Sequence, residues 1–347
     1  MNRSASEKSR SAMRTASLSV LSVLMKLRIL LALVAVTAFF GLTAPNFLTA
    51  ANFLIMFKHI AIIAILAIGM MYVVLTGGID LSVGSVAGLS GMIAGALILN
   101  GLKIDLLGIV IYPSALETVG IALVAGGVIG LINGTLVTRF GVAPFIATLG
   151  MLYVARGTAM LMSGGATFPN LVGLPEYGNQ GFPWLGEGTI LGVPVSICIL
   201  AILAIAAAYV SRQTVFGRQI YAVGGNERAA RLSGVRVDRV KIATYTISGV
   251  CAALVGLIVA SDLVAAHPAS GESFELSAIA AVVLGGASLA GGRGTMEGAL
   301  VGACVIGILM DGMVMIGLSE FWQMVAKGVV IVVAVMLDQA QRRIVKA

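Results

Sequence analysis

The apolar residues of this chain arrive in repeated, nearly unbroken runs, each close to the ~20 residues a helix needs to cross a bilayer. Inside lipid every backbone N–H and C=O has to be paired within the protein, so only helices and closed barrels span. The runs are continuous rather than alternating, which excludes a β-barrel. Over 347 residues, 59% hydrophobic and 11% charged with a mean hydropathy of +1.04, a water-soluble domain is excluded as well. The fold class is all-α, a polytopic integral membrane protein. Ten segments read as membrane helices, at 27–42, 54–75, 82–99, 118–138, 144–162, 190–210, 242–261, 275–290, 297–317 and 322–337. The stretch 275–290 is short and carries Glu275, Ser277 and Ser288. It reads either as a span or as a re-entrant or broken helix, so the total lies between eight and ten.

Charge sets the orientation. Six basic residues fall at or before Arg28, seven in 211–241 and three near the end, with Arg139 and Arg293 in short loops, together 18 of the chain's 22. This positive-inside pattern puts both termini in the cytoplasm, with the turns at 76–81, 139–143, 211–241 and 291–296. The net charge of +7 therefore reports orientation against membrane lipid, not nucleic-acid binding. The organisation is a basic cytoplasmic segment over 1–26, a transmembrane domain over 27–338 and a basic tail over 339–347. The apolar stretch reaching Leu42 is long and lacks a small-residue cleavage site, so it reads as an uncleaved first span. Residues 163–189 hold Gly164-Gly165, Pro169, Pro175, Pro183, Trp184, Glu176 and Glu187 and no Lys or Arg. That is an exterior loop, open to two readings, a connector or a docking surface.

Between Ser211 and Lys241 the greasy chain turns polar. Within it, Gly224 to Gly234 outlines one short helix: Asn226 can cap its start, Glu227 suits the positive end of its dipole and Gly234 fits a left-handed stop. Arg228, Ala229, Ala230, Arg231 and Leu232 make up its body. A membrane protein that builds an ordered helix on its basic face offers a surface to a soluble partner.

Glycine is abundant, with 44 residues. Gly84/Gly88, Gly91/Gly95, Gly126/Gly130/Gly134 and Gly298/Gly302 are spaced for close helix approach, which reads first as packing within one subunit and second as a dimer face. Cys198, Cys251 and Cys304 each fall in an apolar run and read as small hydrophobes.

Catalytic constellations are missing from the pattern. The two histidines, His59 and His267, support neither a triad nor a metal site. None of the seven lysines follows a glycine, as a phosphate-binding P-loop requires. In Gly292-Arg293-Gly294 the third glycine of a dinucleotide fingerprint is misplaced. The chain is expected to bind no cofactor or metal itself. Ionisable residues inside spans, Arg156, Asp311 and Lys327, with Asp80 at a span's end, form no dense relay. They read as structural pairs, as pocket edges or as coupling groups. Gly77-Gly78-Ile79-Asp80-Leu81-Ser82-Val83-Gly84 interrupts a helix with two glycines and restarts it at Asp80 or Ser82, which makes either a gate or a capped turn. Its pattern echoes in Gly285-Gly286-Ala287-Ser288-Leu289, and repeated halves are common in transporters.

Four stretches carry a family resemblance: 75–85 (LTGGIDLSVGS), 134–150 (GTLVTRFGVAPFIATLG), 217–237 (GRQIYAVGGNERAARLSGVRV) and 283–298 (VLGGASLAGGRGTMEG). Over residues 46–338 the chain resembles the permease subunits of bacterial ATP-binding-cassette importers for ribose and related sugars, including xylose, allose and autoinducer sugars. The resemblance implies two permease copies, a cytoplasmic ATPase that holds ATP and Mg²⁺, and a periplasmic or lipid-anchored sugar-binding protein. It also implies that Glu227, Ala229, Ala230 and Gly234 belong to the ATPase-coupling helix, with Arg228 as one extra residue after the glutamate. Asn133, Arg156 and Ser288, polar groups near glycine-rich spans, are pathway candidates beside Asp80 and Ser82. Two rivals remain open: an ion-coupled secondary carrier, and a related permease for branched-chain amino acids or nucleosides.

Overall fold

The computed structural model describes residues 29–104 and 108–346. The basic segment expected at 1–26 lies outside the described residues, as do the side chains of the tail at 339–347. In chain order come α1 (Ile29–Thr43), α2 (Ala50–Leu75), α3 (Val83–Asn100), the strands β1 (Leu102–Ile104) and β2 (Ile109–Ile111), α4 (Ala115–Arg139) and α5 (Pro144–Leu161). An exterior segment follows with α6 (Trp184–Glu187), β3 (Thr189–Ile190) and β4 (Val193–Pro194). Then come α7 (Val195–Gln213), α8 (Val215–Gly225), α9 (Glu227–Leu232), α10 (Val237–Asp262), α11 (Phe274–Leu284), α12 (Met296–Met315) and α13 (Glu320–Lys346). The strands form two small antiparallel hairpins, β1–β2 and β3–β4, outside the helical body.

Among the described residues, seven helices are long and apolar enough to cross a membrane: α2, α3, α4, α5, α7, α10 and α12. The segment read at 275–290 is a broken helix. α11 has 11 residues, about 16 Å at ~1.5 Å per residue, or half of a ~30 Å hydrocarbon core. Gly285-Gly286 ends it, Gly286 turning left-handed at φ +88°.

Helix α10 is the axis of the fold, packed against α2, α3 and α4. Over half of the most apolar 18-residue window is buried in α2, α3, α10 and α12, against 22% in α4, α5 and α7, which lie at the outside of the single chain. With no hydrophobic force between helices in lipid, close contact has to come from small residues. The glycines of α4 supply it: a Cβ on Gly130 would stand 2.8 Å from the Thr246 Cα, and one on Gly134 would stand 2.6 Å from the Ile242 Cα. Gly302 meets the Ala281 carbonyl of α11 in the same way. These stripes pack within one chain.

The glycines of α3 divide between two tasks. Gly91 faces Gly256 and Ala260 of α10, whereas Gly84, Gly88 and Gly95 face the non-helical stretch between α10 and α11. That stretch runs down α3, with Ala266 beside Gly95, Pro268 and Ser270 beside Gly88, and Gly271 beside Gly84. Phe168 pins its upper end through a pair of backbone hydrogen bonds with Ala266, 2.8 and 2.9 Å. Irregular backbone at membrane depth is tolerated where protein buries it, and the missing side chains of α3 make the room.

Candidate functional site

The polar loop folds as its residues direct. Thr214 caps α8 by accepting from the Gly217 N–H at 3.1 Å. The Asn226 Oδ1 caps α9, accepting from the Ala229 N–H at 2.9 Å, and Gly234 sits at φ +84° beyond the helix end. Of α9, Ala230 is buried, while Glu227, Arg228, Ala229, Arg231 and Leu232 are exposed, Leu232 at 83%. Glu227 accepts from the Lys241 Nζ at 2.6 Å and the Arg231 Nη2 at 3.4 Å, and Arg231 also reaches Asp238 at 3.1 Å. The Lys241 hydrogen bond, then the charges of Lys241 and Arg231, holds the Glu227 carboxyl below its ordinary value. Asp238 in turn raises Arg231. Arg231 thus ties α9 to α10, while Arg228 and Arg236 make no ion pair among the described residues. Beside α9 a cleft of about 370 Å³ opens between α8 and α10, lined by Phe216, Gln219, Gly234, Arg236, Arg239 and Val240.

Behind this helix three backbones meet. The Gly292 N–H donates to the Leu75 carbonyl at the end of α2, 2.9 Å. Gly224, near the end of α8, packs onto both: a Cβ there would overlap the Leu75 carbonyl oxygen and come within 2.5 Å of the Gly292 nitrogen. Gly291 and Gly292, at φ +87° and +71°, seat the turn against Gly224 and Gly225. The Tyr221 hydroxyl donates to the Gly294 carbonyl at 2.9 Å, and Arg212 pairs with Glu297 at 2.8 Å. Sequence reasoning did not single out Leu75, Gly224 and Gly291 as one junction. Their signal is three glycine pairs at chain breaks, with nothing in the spacing to say which pairs touch.

The interrupted helix at 76–82 is not a loop in water. Gly77 turns at φ +80°, and the chain climbs back beside α10. Asp80, 1% exposed, accepts from the Ser82 N–H (3.0 Å), the Ser82 Oγ (2.6 Å) and the Ser248 Oγ (2.8 Å). The Asn133 Nδ2 of α4 donates to the Ser82 Oγ at 2.9 Å. Ser248 lies 11 residues beyond the start of α10, about 16 Å along it. Asp80 is therefore deep in the bundle, the centre of a network that joins the break to α4 and α10.

The three pathway candidates do not converge. Asn133 is wholly buried in that network, and Ser288 is buried in the turn after α11. Arg156 of α5 is half-buried, its Nη1 donating to the Pro268 carbonyl (2.5 Å) and the Ser270 carbonyl (2.8 Å). It is the one that holds the non-helical stretch on α3.

Residues 51–335 match the family profile described as branched-chain amino acid transport system / permease component. The ribose import permease protein RbsC of Escherichia coli K12 is 43% identical over 279 residues, covering 80% of this chain and 83% of the relative. RbsC of Bacillus subtilis 168 is 41% identical over 284 residues, 82% of this chain and 83% of the relative. The xylose transport system permease protein XylH of E. coli K12 is 34% identical over 343 residues, 83% and 84% of the two chains. No solved structure matches the chain.

Proposed function

The chain belongs to this family of transport-system permease components, and from that premise we propose that it is the membrane-spanning subunit of an ATP-driven importer that brings a monosaccharide into the bacterial cytoplasm. The observation that carries the reading is the likeness, over four-fifths of the chain, to permeases named for ribose and xylose. The family description mentions branched-chain amino acids, but those relatives favour a ribose-like sugar or sugar alcohol. The protein is multi-pass and resides in the inner membrane.

Its chemistry is mechanical. ATP and Mg²⁺ are held by a partner ATPase in the cytoplasm, and α9 is the handle that the ATPase grips. Leu232 and Ala229 offer an apolar contact for a groove, and Arg228 and Arg236 suit an acidic rim. The Gly224 junction hands movement of α9 to both interrupted helices at once, since the end of α2 and the turn after α11 touch the same glycine. Closure of the ATPase pair then rocks two permease copies between outward and inward access. On the other face, Trp184, Leu191 and the hairpin β1–β2 are exposed apolar groups that suit docking of a sugar-binding protein.

The ion-coupled rival needs its groups in one relay. Asp311 faces His59 at 3.3 Å, Asp80 sits among hydroxyls, and Arg156 holds backbone carbonyls, so each is engaged in a separate place. Reconstitution in vesicles separates the readings. The chain alone takes up no ribose under a proton or sodium gradient, and adding its ATPase, a loaded binding protein and ATP starts uptake. Gradient-driven uptake by the chain alone would overturn the importer.

A further inference from the structure

The open cleft beside α9 has a charged mouth and an apolar floor. Of its lining, Arg236 and Arg239 are exposed, Phe216, Gln219 and Ala243 are half-buried and Val240 is buried. Glu227 and Asp238, the carboxylates nearest along the chain, already hold Lys241 and Arg231. Arg236 and Arg239 make no ion pair among the described residues, so the positive charge at the mouth is unmatched. The positive end of the α10 dipole falls in the same place, since Arg236 is its N-cap. Across the cleft, α8 follows the span α7 and buries Gly217, Ile220 and Val223 while Arg218 stays exposed, the pattern of a helix lying in the membrane interface.

Helix length fixes the depth of the cleft. α10 has 26 residues, about 39 Å at ~1.5 Å per residue, against a hydrocarbon core of ~30 Å. The surplus is about three residues at each end. It sets Arg236 and Arg239 at the level of lipid headgroups and Val240 and Ala243 at the edge of the acyl chains. The wall continues past Ala243. Spaced three and four apart, Arg236, Arg239, Ala243, Ile247, Val250 and Leu254 share one face of α10. Ile247 and Leu254 are half-buried and Val250 is 36% exposed. Two guanidiniums thus stand at the foot of an apolar stripe about three turns long. A free phosphate would use the arginines alone. A phospholipid uses the whole face, its phosphate on the guanidiniums and a chain along the stripe.

We propose that the cleft between α8 and α10 seats the headgroup of an anionic phospholipid of the cytoplasmic leaflet, with its phosphate on Arg236 and Arg239. Gly234, where α9 stops, lies in the same wall, so the lipid steadies the base of that helix. Native mass spectrometry of the full chain, released from vesicles of phosphatidylcholine and phosphatidylglycerol, tests this by the lipid retained. The wild type should keep phosphatidylglycerol in preference to phosphatidylcholine. Arg239→Gln should lower that preference about fivefold, and the double change with Arg236→Gln should lower it more than tenfold, at roughly 1 kcal/mol per arginine near the surface. Arg139→Gln removes an exposed arginine from the end of α4 on the same membrane face and should leave it intact. Ala243→Trp fills the floor with both arginines in place and should also weaken retention, which keeps the test open if the arginine variants fail to fold. An unchanged preference in every cleft variant overturns the proposal. An equal loss in Arg139→Gln does the same, as it would show diffuse attraction without a site. Displacement of phosphatidylglycerol by inorganic phosphate would make the occupant a soluble anion, and its release when the ATPase binds would give the face to the ATPase; either result overturns the lipid. The readout is binding without uptake, so failure of the importer reading leaves it untouched.

Discussion

At Gly224 a single hydrogen atom lets three segments touch by their backbones. Even the smallest side chain would press on the Leu75 carbonyl, and overpacking of this kind costs about 1–3 kcal/mol. Gly224→Ala should therefore leave a folded complex whose ATPase still turns over but whose sugar uptake no longer follows it. Uptake measured per ATP hydrolysed checks this, and an unchanged ratio would remove the junction from the coupling path. Tyr221→Phe is the milder companion. It deletes the hydroxyl bond to the Gly294 carbonyl, worth about 1 kcal/mol, and should lower the same ratio by less. Asp80 illustrates the opposite use of a residue. Three hydrogen bonds from two serines satisfy a carboxyl that is otherwise expensive to bury.

Elements differ in how far the sequence betrays them. The caps of α9 are local: Asn226, Glu227 and Gly234 lie within nine residues, so the helix could be drawn before any tertiary contact was known. The half-length of α11 was only one of the open readings, because a short run carrying Glu275, Ser277 and Ser288 suits a span as well as a re-entrant or broken helix. What could not be read was contact between distant elements. Gly224 meets a carbonyl at position 75 and a turn at 292, and Gly84, Gly88 and Gly95 of α3 meet a non-helical run of turns where their spacing predicts another helix. Glycine spacing reports that something comes close without saying what. For α9 itself the fastening is electrostatic, which gives a pH signature. The Glu227 carboxyl is held below its ordinary value by Lys241 first and Arg231 next. A depressed carboxyl contributes fully above its unfolded value and loses its contribution as pH falls through the depressed one. The tether of α9 to α10 should thus hold at neutral pH and release in acid. Amide exchange over 227–234, corrected for intrinsic rates, should rise on acidification. Glu227→Gln should show the raised exchange at neutral pH already, and equal rates in the two proteins would remove Glu227 as the tether.

For the molecule as a whole, one orientation follows from the distribution of charge and carries every functional assignment with it. Leu191 and Leu232 are among the most exposed apolar residues, at 101% and 83%, and lie on opposite faces. With the three native cysteines changed to alanine, Leu191→Cys should react with a membrane-impermeant maleimide on intact cells once any outer envelope is opened. Leu232→Cys should react only after the inner membrane is breached, and the reverse pattern would invert the topology. The non-helical stretch on α3 has a bearing on how such a molecule is made. Chains emerge N-terminus first, and a polar, non-helical segment cannot wait in lipid for its shelter. Here α3, the Arg156 clamp on α5, Phe168 and α10 all precede residues 263–273 in the chain. The berth is finished before its occupant leaves the ribosome, and α13 arrives last to shut the side door.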